Sequence, residues 1–309
     1  MIKISRYKSN FEKEYFEFVF KKIKGRIEKI KKVSSKKSKE INEILKKIKK
    51  ESLDTFLEYI VNNAEQIIIG DFSTLSNDIL LLVKDFNINK KEINEFISYI
   101  FSYSDFISIN QKFSYTIAQN MNSKVCPFCN KNSTEFINKN KKHRYDFDHF
   151  YPKSVYPYFA VSLYNLIPIC SDCNKIKSNY VFTIENNMYP YDEGTEEENI
   201  FGFEVLENND FRIVNKSKNS KYNNNERMLQ IVERYNYNLE STNLVNTLEK
   251  CKRHSTPEYV AFVKKCFGFT KKEILNELGY TPKQELKNKA FSKFTNDIID
   301  LNFNYNNNN

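Results

Sequence analysis

Two short stretches, Cys126-Pro127-Phe128-Cys129 and Cys170-Ser171-Asp172-Cys173, bracket the run Tyr145-Asp146-Phe147-Asp148-His149-Phe150-Tyr151-Pro152-Lys153-Ser154 and the later Tyr164-Asn165-Leu166-Ile167-Pro168. A Cys-x-x-Cys turn lets two sulfurs converge on one ion, so two such turns complete a tetrahedral four-thiolate site with no position left open for water. The expected ion is a structural Zn²⁺ held by Cys126, Cys129, Cys170 and Cys173, tying a hairpin to the start of a helix. Between about Val125 and Pro190, Cys, His and Pro concentrate and helical periodicity fades, which marks this stretch as the place for chemistry.

Outward from that centre the chain reads as helix. Phe11, Tyr15, Val19, Ile23, Ile27 and Ile30 recur on one stripe with lysines on the other faces. After Ser34-Ser35 the pattern continues through Ile41, Ile44, Leu45 and Ile48, and again over Leu57 to Ile69, Ile79 to Val83 and Ile93 to Phe101. Beyond the centre, Phe201, Phe203 and Val205, then Phe211 and Ile213, alternate with polar or small residues around Asn208-Asn209-Asp210, which predicts a small hairpin. Helix starts are predicted at Thr256-Pro257, at Thr270 with Glu273, and at Thr281-Pro282 with Gln284, with Gly268 and Gly279 as stops. The expected class is α+β, mainly helical, with a basic helical region over 1–120, the zinc-stapled core over 121–190, and a hairpin followed by helices over 191–309. Asn306 to Asn309 reads as a disordered tail, and no internal repeat is visible.

The 309 residues carry a formal charge of +9. Residues 1–50 hold 18 Lys/Arg and 6 Asp/Glu, or +12, which leaves −3 for the remainder. A basic segment of this kind suits a polyanion through counterion release from phosphates, and equally suits a solvated helical face. No run approaches the roughly 18 apolar residues of a membrane span, and no apolar run follows Lys3, Arg6 and Lys8, so a cytoplasmic location and no membrane partner are expected.

The central residues resemble the HNH family of ββα-metal (treble-clef) nucleases. Asp148-His149 at the end of a first strand, Asn165 before the Leu of a second, and Asn174 directly after the last cysteine follow that pattern in order, over about 50 of the 309 residues. The resemblance implies a metal-dependent endonuclease acting on DNA in preference to RNA and leaving 5′-phosphate and 3′-hydroxyl ends. It implies that His149 is the base that activates water, that Asp148 and Asn174 hold one catalytic Mg²⁺ or Mn²⁺, and that Asn165 constrains the loop carrying the base. Independently of the family, phosphodiester cleavage needs a base, a cation and a group that holds the base in line. His149 fits the first need, since an imidazole titrates near neutral pH, and Asp148 and Asn174 offer hard oxygen donors suited to Mg²⁺ or Mn²⁺.

Lys175 and Lys177 are candidates for phosphate contacts at the helix start, with solvated surface lysines as the alternative. His143 reads as surface and Asp146 as a support for Asp148 on the same strand face. Cys251 and Cys266 read as buried small hydrophobes, a second metal site with His254 lacking a fourth ligand. Tyr151, Tyr156, Tyr158 and Phe159 read as core packing rather than a base-stacking platform. The long helical flanks and the Asp148 to Ser154 stretch also resemble nucleases of bacterial anti-phage defence systems of the Septu type, which implies an ATPase partner. The reading from another class is a zinc knuckle that binds nucleic acid or protein without cutting.

Overall fold

The computed structural model describes residues 1–32, 39–108, 111–135, 145–178, 180–206, 211–237 and 257–303. The Ser34-Ser35 break, His143, the Asn208 to Asp210 turn, Cys251, His254 and the Asn306 to Asn309 tail lie outside them.

The described chain is mainly helical with two small two-stranded sheets. Helix α1 (Ser9–Lys31) buries the expected stripe, Phe11, Tyr15, Val19, Ile23, Ile27 and Ile30. Helices α2 (Lys39–Lys47), α3 (Lys50–Asn62), α4 (Ala64–Ile69), α5 (Ser76–Lys84) and α6 (Lys90–Ile100) follow, with α6 started by an Asn89/Glu92 capping box. The expected Leu57–Ile69 helix is broken at Asn63, whose side chain donates to the Tyr59 carbonyl at 2.9 Å. A short π-helical turn (Ser104–Ser108) leads into α7 (Gln111–Asn120).

Next come the first cysteine turn, strand β1 (Asp146–His149), strand β2 (Leu166–Ile169) and helix α8 (Ser171–Lys177). The strands pair antiparallel, with His149 opposite Leu166 and Asp146 opposite Ile169. Strands β3 (Phe201–Val205) and β4 (Phe211–Asn215) form the predicted hairpin, followed by α9 (Ser220–Leu229) and α10 (Ile231–Asn236). The C-terminal helices are α11 (Pro257–Phe267), α12 (Lys271–Glu277) and α13 (Ser292–Phe303). Thr270 and Glu273 form the expected capping box, and Gly268 (φ +68°) and Gly279 (φ +89°) close α11 and α12 in the left-handed region where glycine carries no Cβ penalty.

The start expected at Thr281-Pro282 gives a 3-10 turn (Lys283–Asn288) instead of an α-helix. Thr281 is already taken: its N–H donates to Asn296 Oδ1 at 2.9 Å and its carbonyl accepts from Asn296 Nδ2 at 2.7 Å. Downstream, the Leu286 carbonyl accepts from Asn130 Nδ2 at 3.0 Å and the Lys287 carbonyl from the Lys124 N–H at 2.9 Å. Those carbonyls serve the first cysteine turn and are not spent on an i→i+4 ladder. Cys266, expected in the interior, is exposed, because α11 buries Val263 and turns Lys264, Lys265 and Cys266 outward.

A single hydrophobic cluster runs from Met1 through Ile299, and the three sequence regions share it. Polar contacts cross the same boundaries: Tyr15 Oη donates to the Val161 carbonyl at 2.9 Å, Ser162 Oγ to the Ile67 carbonyl, and Tyr235 Oη to the Cys129 carbonyl at 2.8 Å. Tyr151, Tyr158 and Phe159 are buried in this cluster, with Tyr156 packed against it. No helix is long and apolar enough to cross a membrane among the described residues.

Candidate metal centre and active site

Each cysteine pair is shaped by its local backbone. Val125 and Ser133 form an antiparallel bridge around the Cys126 to Cys129 turn, which leaves through Asn130 at φ +49°, a left-handed conformation asparagine tolerates. The second pair opens α8, where Cys170 is the N-cap and its sulfur accepts from the Cys173 N–H at 3.5 Å. The four sulfurs lie within 4.8 Å of one another, and Cys129 and Cys170 stand 3.9 Å apart. Sulfurs on a tetrahedral Zn²⁺ at about 2.3 Å sit about 3.8 Å from each other, so the cage fits that ion. All four cysteines are buried and unpaired as disulfides. Thiol hydrogen bonds from Cys126, Cys129 and Cys173 push Cys170 well down, while burial pushes Cys126 up. A shared cation would resolve that conflict by stabilising four thiolates together.

Four thiolates around a divalent ion carry two net negative charges, and the fold supplies cations beside them. Arg234, from α10, donates to Cys173 Sγ at 3.1 Å and lies 3.6 Å from Asp172. Although burial opposes its charge, the Cys173 sulfur holds it more firmly protonated than usual. Lys131 donates from Nζ to the Arg234 carbonyl at 3.1 Å, so the centre is tied to α10 twice.

The four-cysteine cluster sets α8 against the end of β1, where the candidate catalytic groups meet. His149 is 8% exposed, and its Nε2 lies 2.9 Å from the Ala160 carbonyl. A carbonyl only accepts, so Nε2 carries the proton and Nδ1 keeps its lone pair. Burial lowers the imidazole pKa to about 3, reinforced by the charges of Lys153 and Lys177 and opposed by the bond to Ala160, so the ring is neutral at pH 7. Tyr103, immediately before the π-helical turn, meets the His149 ring edge-on with centroids 4.6 Å apart.

Asn165 is fully buried and bonds with both ends of its amide: Oδ1 accepts from the Tyr151 N–H at 2.8 Å, and Nδ2 donates to the carbonyls of Tyr151 and Phe159 at 3.1 and 3.0 Å. It thereby pins both sides of the loop that returns from His149 to β2. Asn174 reaches β1 by donating from Nδ2 to Asp146 Oδ2 at 3.2 Å.

Asp148 is engaged differently. Burial raises its carboxyl to about 6, against the pull of Lys177. The Lys177 ammonium donates to Asp148 Oδ1 at 3.0 Å and to the His149 carbonyl at 3.0 Å, lies 2.9 Å from Oδ2, and sits over the Phe182 ring. Oδ2 itself receives no aligned hydrogen bond. Lys177 is 1% exposed, so of the two lysines considered for phosphate contacts only Lys175 faces solvent. The reason is that the inner face of this short helix lies on β1, and the ammonium finds a carboxylate and a carbonyl there.

A hard divalent ion needs oxygen donors, and Asp146, Asp148 and Asn174 present two carboxylates and an amide around the junction of β1 and α8. The buried Oδ2 of Asp148 receives no aligned hydrogen bond but lies 2.9 Å from the Lys177 ammonium. Asp148 is engaged by that ammonium and Asn174 by Asp146, so a divalent ion held here would have to displace the ammonium. Among the described residues, the four cysteines are the one group of three or more Cys, His, Asp or Glu ligand atoms close enough to share an ion.

Tyr103, Lys177 in its inward role, and Arg234 carry no sequence signal that marks them, because each reaches the centre from far along the chain or from the unexpected side of its helix. No family model, no curated protein and no solved structure matches the chain.

Proposed function

We propose that the protein is a metal-dependent HNH endonuclease built on a treble-clef zinc knuckle, hydrolysing nucleic-acid phosphodiester bonds with DNA as the favoured substrate. The observation that supports this most is the state of His149: a neutral imidazole, its tautomer fixed by the Ala160 carbonyl, with Nδ1 free to take a proton. It stands at the end of the strand that carries Asp146 and Asp148, beside a helix whose first turn is stapled by four cysteines. In this reading Nδ1 accepts the proton of the attacking water, and Asn165 holds the loop so that the ring keeps its bearing. Asp148 and Asn174 would hold the divalent ion, with Asp146 keeping the Asn174 amide in place. When bound, that ion neutralises charge on the phosphate and the leaving oxygen. Lys175 contacts the phosphate backbone. For Asp148 to serve as a ligand, the Lys177 ammonium would have to release it.

The test is nicking of supercoiled plasmid in Mg²⁺ or Mn²⁺ by the wild type, His149→Ala and Asp148→Ala. Loss of nicking in both variants is expected, and equal cutting by all three rejects the assignment. One observation favours a non-catalytic nucleic-acid-binding module as a second reading: the Asp148 carboxylate already holds a buried ammonium. A wild type that binds DNA and never nicks it under either ion would establish that reading. A partner ATPase, as in defence systems of the Septu type, would be recovered by co-purification with the product of a neighbouring gene.

A further inference from the structure

A cavity of about 300 Å³ opens between α1 and the π-helical turn, lined by Lys21, Lys22, Gly25, Arg26, Lys29, Asp105 and Phe106. Five of these residues lie on one helix at positions 21, 22, 25, 26 and 29, the spacing of one face. The only carboxylate in the lining, Asp105, is already paired with Arg26 at 2.5 Å. Lys21, Lys22 and Lys29 are exposed, and among the described residues none of the three has an ion-pair partner, so the cavity carries three uncompensated ammonium groups. Its floor is kept open by Gly25: a Cβ built there would meet nothing within 4 Å, so the missing side chain serves no packing need.

The position of the cavity gives these charges a purpose. Its far wall is the Ser104–Ser108 turn, and the residue just before that turn, Tyr103, is the one whose ring touches His149. The exposed Lys153 places its ammonium 5.0 Å from the centroid of the same Tyr103 ring. Tyr103 and Asp105 are two peptide steps apart, so their Cα atoms are at most about 7.6 Å from each other. Successive phosphates of one strand advance about 3.4 Å along a duplex, so a strand whose scissile phosphate faces His149 has further phosphates within reach of the cavity. We infer that this cavity on α1, with Lys153 as the stepping stone, is a phosphate-binding track for the nucleic-acid strand that passes over His149. It deepens the nuclease reading and rests on it for the identity of the strand, while its charge and shape stand on their own.

The test is fluorescence anisotropy with a labelled DNA oligonucleotide, single-stranded and duplex, across a salt series with no added divalent ion, so that no cutting occurs and the zinc is undisturbed. The triple variant Lys21→Glu/Lys22→Glu/Lys29→Glu is compared with Lys264→Glu/Lys265→Glu/Lys272→Glu, an equal change of charge among exposed lysines of α11 and α12. The first triple should bind at least tenfold more weakly, and its slope of log K against log salt should shrink by about 2 to 3, since each lost phosphate contact removes roughly 0.7 to 0.9. The second should stay within twofold of wild type. A matching triple to Gln separates lost contacts from introduced repulsion, and a thermal melt confirms that each variant is folded. Equal weakening by both Glu triples, or no weakening by the first, overturns the track. Plasmid nicking separates the two readings: a wild type that nicks while the first triple binds normally removes the track and leaves the nuclease, and the reverse pattern removes the nuclease and leaves the track.

Discussion

Replacing Lys177 with Met removes the ammonium and keeps most of the chain length. At 2.9 Å the Lys177–Asp148 attraction is about 6 kcal/mol for an effective dielectric of about 20, and desolvating two ions costs several kcal/mol each, so the intact pair nets little. Removing one partner is a different matter, because the Asp148 carboxylate stays buried with its charge unmet, and the His149 carbonyl loses a donor as well. We expect Lys177→Met to cost about 3–5 kcal/mol of folding stability. The double variant Lys177→Met/Asp148→Asn removes the stranded charge, so it should be less destabilised than the sum of the singles by roughly 2 kcal/mol or more. Urea denaturation followed by circular dichroism reads both numbers, with an unchanged m-value showing that the native state is the same. Single and double variants that add without coupling, or a Lys177→Met protein within about 0.5 kcal/mol of wild type, would refute the buried pair.

Mass spectrometry of the purified protein should find about one zinc per chain, lost in Cys126→Ser, while Arg234→Ala should keep the metal yet release it to a competing chelator roughly 10- to 100-fold more readily, since groups contacting the ligands tune affinity by that factor. Gly25→Ala should raise stability by roughly 0.5–1 kcal/mol, because alanine is the better residue in a helix and its Cβ meets nothing, and a lowered melting temperature would contradict the space seen there. Burial, with the neighbouring Asp297 carboxylate, raises Asp300 to about 6 from its ordinary 3.8. The folded state thus holds that proton more tightly than the unfolded chain, so the contribution of Asp300 is fully present below pH 3.8 and is lost as pH rises through about 6. Asp300→Asn should match wild type near pH 4 and exceed it at pH 7, checked by denaturation midpoints across that range.

The parts of the molecule fixed by local chemistry were readable in the chain itself. The stripe from Phe11 to Ile30 needs only the helical period, the Thr270/Glu273 start only a capping box, and the gathering of four cysteines only their two tight turns. What escaped was decided by distant partners. The failed helix at Thr281 turned on Asn296 and on carbonyls drawn to Asn130 and Lys124, none of which a window of sequence contains. Lys177 was unreadable because helical spacing gives its face but not the acceptors on the strand beneath. Tyr103 and Arg234 approach from 46 and 61 residues away, each on an element whose own pattern is ordinary.

The shared interior has a practical corollary for anyone wishing to excise the cysteine-bearing middle as a minimal unit. A fragment cut at the boundaries suggested by composition would leave Asn130 without the carbonyl of Leu286, Cys173 without its guanidinium, and Val161 without the hydroxyl of Tyr15. Such a piece would present raw apolar surface on two sides and should precipitate or require fusion to stay dispersed. Replacing the flanking helices with unrelated ones would meet the same obstacle, since the grafted helices must bring their side of the common interior with them.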